Sequence, residues 1–232
     1  MADRATDTTT LLARIAADPA LAALLAEAGV RDAAHDVPDP THDAAHLLRV
    51  ALWTLRLGGA EVDAREAIAA ALLHDAVNVP KSSPGRARAS ERSAEHAAAR
   101  LRALGFAPDA VARIADAIRD HSFSRGAVPA TPLGRALQDA DRLEALGAIG
   151  LLRTISTGVR TGGAWFHPED PFGRERERDD TRWSVDHFFT KLLGLPGTMR
   201  TAAGREEAER RVVLLRAFLD ALADELGEAR PG

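Results

Sequence analysis

Apolar residues recur at intervals of three and four along most of this chain, the spacing of one face of an α-helix. The clearest stretch lies between Thr41 and Gly58, where the apolar positions are Ala44, Leu47, Leu48, Ala51, Leu52 and Leu55. Aromatic residues make up only 4% of the chain, so the core must consist of Ala, Leu, Ile and Val. Ala and Leu are strong helix formers, and no strand-like alternation is found. The sequence therefore predicts an all-α fold.

Gly, Pro and capping residues divide this pattern into separate helices. They are predicted at about 8–17, 19–28, 41–58, 63–75, 90–104, 108–120, 131–155, 184–193 and 205–226. Thr41 is the expected N-cap of the third helix, and the helix that starts at Thr131 is expected to continue past Gly147 to about Ile155. One domain is predicted over 1–232, with N-terminal helices in 1–35, a core in 36–157, a loop in 158–183 and C-terminal helices in 184–228.

The composition excludes several classes of function. A net charge of -4, from 30 basic and 34 acidic residues, gives no overall field that would attract nucleic acid or an anionic membrane. The absence of cysteine excludes disulfides, thiolate metal sites and cysteine nucleophiles. No apolar run approaches the roughly 18 residues of a membrane span. We expect a cytoplasmic protein that binds neither nucleic acid nor membrane.

One apolar run ends in two residues that can bind metal. Ala71, Leu72 and Leu73 lead directly into His74 and Asp75. With His46 upstream and Asp141 downstream, two imidazoles and two carboxylates form a ligand set suited to a divalent ion. A lone His-Asp pair is more often a surface or capping pair, so spacing alone leaves both interpretations open.

Several longer motifs resemble those of one family. Residues 42–50 (HDAAHLLRV), 71–75 (ALLHD) and 139–150 (DADRLEALGAIG) resemble motifs of the HD-domain metal-dependent phosphohydrolase superfamily, in the same order. They match a small bacterial branch that includes nucleoside triphosphate pyrophosphatases. HSFS at 121–124 and HFFTKLL at 187–193 are similar to further motifs of that branch, so the resemblance covers roughly 36–226. It implies an HD-domain helical bundle with an additional C-terminal helical segment.

The resemblance implies a metal-binding core in 36–157. Its ligands would be His46, His74, Asp75 and Asp141, and the ion one of Mn, Co, Ni, Fe, Zn or Mg. Asp139 competes with Asp141, but the aspartate followed by Arg and Leu matches the last ligand of the superfamily. His42, one helical turn before His46, is expected to support a ligand or cap the helix and not to bind the ion.

The resemblance also implies a set of residues that act on the substrate. Asp75, Lys81 and His121 are the expected catalytic residues, and the expected substrate-binding residues are Arg49, Lys81, His121, His187 and Lys191. Surface positions for the two lysines and an ion pair for Arg49 are the simpler alternatives. His96 is expected on a solvated helix face.

The predicted activity is divalent-metal-dependent hydrolysis of a nucleotide, with a nucleoside triphosphate split into monophosphate and pyrophosphate. A nucleotide monophosphatase or phosphodiesterase is the alternative within the fold. Asn78 stands where the branch usually has an acidic residue, and an amide cannot accept a proton from water at neutral pH. This departure keeps open a non-catalytic regulatory module that binds metal or nucleotide. The apolar stripe of the last helix allows core packing or a homodimer.

Overall fold

The computed structural model describes residues 6–33, 43–77, 88–122 and 125–231, and these ranges are mostly helical. The α-helices are α1 (Thr8–Ala17), α2 (Pro19–Ala33), α3 (Ala44–Gly58), α4 (Ala64–Leu73), α5 (Ala89–Ala103), α6 (Pro108–Asp120), α7 (Pro132–Leu143), α8 (Gly147–Arg160), α9 (Ser184–Thr190) and α10 (Ala202–Leu226). Short 3-10 helices cover Gly59–Glu61 and Leu192–Thr198. Within the described ranges the single β-type pairing is an isolated bridge between Ala164 and Trp183. The prediction of an all-α fold is confirmed.

Aspartate side chains begin the helices that lead to the site. Asp43 accepts a hydrogen bond from the main-chain N–H of His46 at 2.8 Å and caps α3. Asp63 accepts one from the N–H of Glu66 at 2.9 Å and caps α4. Each carboxylate satisfies an N–H that has no partner within the helix. The predicted cap Thr41 lies outside the described residues, and the structure starts α3 after Asp43 instead.

The described residues form two compact units, Met1–Asp141 and Arg142–Gly232. In the first, α4 packs against α2, α3, α5 and α6. Its residues from Ala67 to Leu73 are at most 1% exposed. This part of the helix is apolar on every side because other helices surround it. The interior of this unit therefore surrounds the end of α4. The prediction of one domain over the whole chain stays a prediction.

Helix α7 approaches α6 at Gly134. A Cβ added to Gly134 would lie 2.8 Å from the Cβ of Pro129 and 3.6 Å from the Cα of Ala117 on α6. Leu137 and Ala140 are fully buried on the same helix. The absence of a side chain at Gly134 permits this close approach.

The second unit has its own core. Helix α10 packs against α8 and the 3-10 helix, and α9 contacts both of these elements. Phe188 on α9 stacks on Phe218 with ring centroids 5.5 Å apart. Asp186, fully buried, accepts two hydrogen bonds from the guanidinium of Arg176, at 2.6 and 2.7 Å, and one from the N–H of Asp179 at 2.7 Å. This carboxylate attaches the irregular segment after α8 to α9.

The helix predicted to run from Thr131 to about Ile155 is interrupted, and that prediction is wrong. Helix α7 ends at Leu143 and α8 begins at Gly147. Gly147 has a φ of 69°, a conformation that L side chains rarely adopt. A Cβ on Gly150 would lie 2.2 Å from the carbonyl of Ala145. The two glycines therefore permit a tight turn, which the helical pattern of the sequence does not reveal.

No single described helix is both long and apolar enough to cross a membrane. The segments Thr8–Ala17 and Pro19–Val30, bent by 112° at their break, meet the requirement only as a pair. Core helices of soluble proteins meet the same requirement.

Candidate metal centre

His74 follows the last residue of α4, and its side chain is fully buried. Its Nδ1 lies 2.7 Å from the carbonyl oxygen of Ala71. Because a carbonyl only accepts, Nδ1 must carry the proton and donate it. In the neutral ring the lone pair is then on Nε2, which is buried and makes no hydrogen bond within the described chain. This is the form in which a histidine binds a metal.

Two carboxylates and a second imidazole surround this nitrogen. Nε2 of His74 lies 3.6 Å from Oδ2 of Asp75 and 3.8 Å from Oδ1 of Asp141. The same Oδ1 lies 3.9 Å from Nε2 of His46 on α3, whose side chain is also fully buried. Both carboxylates keep 28% of their side-chain surface exposed. The structure thus brings together the four residues that the sequence predicts as ligands.

The spacing of these atoms fits one metal ion. Two donors that each lie about 2.1 Å from an ion can be at most roughly 4.2 Å apart. The separations of 3.6, 3.8 and 3.9 Å are below this limit. Ligand atoms of His46, His74 and Asp75 all lie within 4.8 Å of one another. These three residues could therefore hold one ion, and Asp141 lies close enough to both histidines to be a further ligand. The nitrogen and oxygen donors suit a divalent ion.

The carboxylates change the protonation of His74. Burial lowers the pKa of this histidine, but the charges of Asp75 and Asp141 outweigh burial and raise the pKa to about 9. Burial likewise raises the pKa of Asp141, yet His74 and His121 hold it well below its usual range. Without an ion, a proton on His74 offsets the negative charge of the cluster. A divalent ion would replace that proton.

His121 lies at the edge of the same cluster. It follows the last residue of α6, is 4% exposed, and its Nε2 lies 3.8 Å from Oδ1 of Asp75. Its Nδ1 donates to the carbonyl of Ile118 at 2.6 Å, so Nε2 again faces the carboxylates. A buried imidazole beside a predicted ligand agrees with a role in the site. The predicted contact with substrate stays a prediction.

The remaining predicted residues belong to α3, to α5 and to the second unit, or fall outside the described ranges. Arg49 is half-buried on α3, one turn after His46, and His96 is exposed on α5 as expected. In the second unit, Nδ1 of His187 lies 2.8 Å from Oδ2 of Asp180, and Lys191 caps the C-terminus of α9. Their predicted substrate contacts, like that of Arg49, stay predictions. Residues of the motifs that lie outside the described ranges are His42, Asn78, Lys81, Phe123 and Ser124.

Sequence reasoning missed Gln138, which is fully buried on α7 one turn before Asp141. Its side-chain nitrogen donates to the carbonyls of Asp120 and Ala127, at 2.9 and 3.0 Å. A polar residue on the face that Asp141 shares is the signal that was available.

The fold and the cluster together define a class of protein. The sequence profile of the HD domain matches residues 43–146, which include all four clustered side chains and His121. The chain belongs to the HD-domain family, a class of metal-dependent hydrolases. Among proteins of known sequence it is similar to YpgQ of Bacillus subtilis, with 33% identity over 175 residues, 73% of this chain and 77% of YpgQ.

Solved structures show the same fold. The crystal structure of Bacillus subtilis YpgQ in complex with ADP superposes with a TM-score of 0.66 and 25% identity, over 88% of this chain and 93% of YpgQ. An HD-superfamily hydrolase from Bacillus thuringiensis superposes with a TM-score of 0.65 and 26% identity, over 95% of this chain and 100% of that chain. A predicted HD-superfamily hydrolase from an uncultured Thermotogales bacterium superposes with a TM-score of 0.61 and 29% identity, over 95% of this chain and 99% of that chain.

Proposed function

We propose that this protein hydrolyses a nucleoside triphosphate to the monophosphate and pyrophosphate at the cluster of His46, His74, Asp75 and Asp141. The observation that carries the proposal is the buried Nε2 of His74, which lies 3.6 and 3.8 Å from oxygens of two carboxylates. In this reaction a water oxygen forms a bond to the α-phosphorus while the bond to the bridging oxygen of pyrophosphate breaks. One proton of the water is released.

The ion would be held by His46 on α3, by Asp141 on α7, and by His74 and Asp75 just after the end of α4. A bound divalent ion supplies Lewis acidity and lowers the pKa of a coordinated water toward neutrality. Asp75 and Asp141, each partly exposed, form the open side of the cluster, where water and a phosphate oxygen can reach the donors. His46 and His74 close the buried side.

His121 is the proposed proton carrier and phosphate contact on this open side. Its Nε2 faces Asp75, and Nδ1 is held by a main-chain carbonyl, so the ring presents one fixed nitrogen. An imidazole in this position can accept the proton of the attacking water or donate a hydrogen bond to phosphate. Lys81, Arg49, His187 and Lys191 are the further proposed phosphate contacts.

The choice of substrate is supported by YpgQ, whose crystal structure contains ADP. ADP has a nucleoside, two phosphates and the α–β anhydride, which is the bond that the proposed reaction breaks in a triphosphate. A relative of the same fold that binds ADP is consistent with a nucleotide substrate for this chain. Hydrolysis of a nucleotide monophosphate or a cyclic nucleotide is the alternative.

The test is a product analysis with defined ions. The purified chain is stripped with a chelator, reloaded separately with Mn, Co, Ni, Zn or Mg, and incubated with ribonucleoside and deoxyribonucleoside triphosphates, monophosphates and cyclic nucleotides. Anion-exchange chromatography separates monophosphate, pyrophosphate and orthophosphate. We expect equal amounts of monophosphate and pyrophosphate from at least one triphosphate.

Orthophosphate from monophosphates alone, or opening of cyclic nucleotides alone, would replace the proposal by its alternative. No product from any nucleotide, with nucleotide binding retained, would exclude nucleotide hydrolysis and leave the regulatory module.

A further inference from the structure

The amide of Gln138 on α7 links the last residue of α6, Asp120, to Ala127 in the connection between the two helices. Both of its partners, the carbonyl oxygens of Asp120 and Ala127, can only accept, so the amide nitrogen must face them. The side chain is fully buried, where losing these bonds leaves main-chain acceptors without a donor. The two bonds therefore hold the main chain at Asp120 and at Ala127 next to α7.

The bond to Asp120 acts directly on the residue that follows. Asp120 ends α6, and carbonyls in the last turn of a helix have no partner within that helix. The Asp120 carbonyl belongs to the peptide group that joins Asp120 to His121. Gln138 therefore fixes the plane of that peptide, while the ring of His121 is held by the Ile118 carbonyl at 2.6 Å. Backbone and ring of His121 are both restrained.

Gln138 and Asp141 share one face of α7, because they are three residues apart. Asp141 approaches Nε2 of His74 to 3.8 Å, and Gln138 holds the peptide of His121. One turn of one helix thus sets the positions of a predicted ligand and of the imidazole that faces Asp75.

We propose that Gln138 is a positioning residue of the metal centre, which holds His121 opposite Asp75 without contacting ion or substrate; its kinetic consequence rests on the proposed function. A loss of the two bonds would let the Asp120–His121 peptide rotate and move Nε2 away from Asp75. Displacements of about 1 Å at a catalytic group can reduce turnover by up to about a hundredfold.

The test compares Gln138→Met, which keeps the length of the side chain and removes its donors, with Thr54→Val as a matched control. Thr54 is also fully buried, and its hydroxyl donates to the carbonyl of Val50 at 2.8 Å on α3. The positions of the histidine ring signals are recorded by NMR at one fixed pH in metal-free protein. We expect the signals of His121 to shift in Gln138→Met and to stay unchanged in Thr54→Val.

Turnover provides the second readout. For Gln138→Met we expect kcat to fall roughly tenfold or more and KM to change by less than kcat, because proton transfer by His121 depends more strongly on its position than its single phosphate contact does. Gln138→Glu provides a conservative rescue. A carboxyl group donates one hydrogen bond only when protonated, so the kcat deficit of this variant relative to the parent should shrink as pH falls.

Unshifted His121 signals in a folded Gln138→Met protein would overturn the proposal, as would an unchanged kcat. If Gln138→Met does not fold, the same NMR and kcat measurements are made on Gln138→Glu. A kcat deficit of Gln138→Glu that does not depend on pH would contradict the positioning role. The NMR comparison needs no turnover. Shifted His121 signals in a protein that hydrolyses no nucleotide would thus refute the proposed function while leaving the positioning role supported.

Discussion

His74 and His121 meet edge to face, with ring centroids 5.0 Å apart and planes at 86°. Each follows the last residue of its helix and donates Nδ1–H to the carbonyl three residues earlier. At both helix ends this hydrogen bond holds Nδ1, and Nε2 is therefore the nitrogen that faces the carboxylates. The carbonyl that would otherwise lack a partner at each helix end determines which nitrogen is available.

The first prediction concerns the ligands. His74→Ala should lower the affinity for Mn²⁺ by at least roughly a hundredfold, because a direct ligand should matter at least as much as the groups that support one. Isothermal titration calorimetry on chelator-stripped protein measures it. His96→Ala is the matched control, since His96 is an exposed histidine of the same unit. Equal affinities for the two variants would remove His74 from the site.

The second prediction concerns stability without metal. The pKa of His74 is raised from 6.5 to about 9 in the folded chain. The protonated ring thus stabilises the fold fully below pH 6.5, and this contribution is lost as pH rises toward 9. Urea unfolding of metal-free protein should show a decrease on the order of 3 kcal/mol across this window. The variant His74→Gln should lack the decrease, and a flat curve for the parent would contradict the pKa shift.

The third prediction concerns protons released on binding. Between pH 6.5 and 9 the metal-free ring is protonated, and Mn²⁺ can bind Nε2 only after the proton leaves. Binding at pH 7.5 should therefore release about one proton per ion. Calorimetry in buffers of different ionisation enthalpy measures this number. A heat that is independent of the buffer would show that His74 is already neutral in the metal-free protein.

The fourth prediction concerns the second unit. Arg176→Ala leaves the fully buried carboxylate of Asp186 without its bidentate partner, which should cost about 3 kcal/mol or more of unfolding free energy. Arg230→Ala is the control, because its ion pair with Asp224 has side chains 61% and 56% exposed and should contribute little. Urea unfolding of both variants decides. Equal effects would mean that burial does not distinguish the two pairs.

Helical periodicity was sufficient to predict the fold class and most helix positions. Helix α1 has the predicted bounds, and α6 likewise runs from Pro108 to Asp120. The failure lies at 144–146, where an apolar pattern continues across a turn. The spacing of apolar residues indicates which face is buried but not whether the backbone stays helical. The positive φ of Gly147 therefore cannot be predicted from that spacing.

At the candidate site the sequence predicted the ligands but not the hydrogen bonds that orient them. The order of the motifs identified His46, His74, Asp75 and Asp141 as candidate ligands. The structure places their donor atoms near one another. The hydrogen bonds that orient the rings depend on where helices end to within one residue, which sequence patterns do not resolve. Gln138 was missed because its partners are main-chain carbonyls, which have no residue identity to recognise.

The donor atoms come from positions 46, 74, 75 and 141, so no short stretch of chain can form the cluster alone. An ion bound there would recognise the finished tertiary structure and not the unfolded chain. At a free concentration a hundred times its dissociation constant, such an ion adds about 2.7 kcal/mol to stability. The amount of intact protein in a cell would then follow the supply of that metal, and starvation for it would expose the chain to proteases.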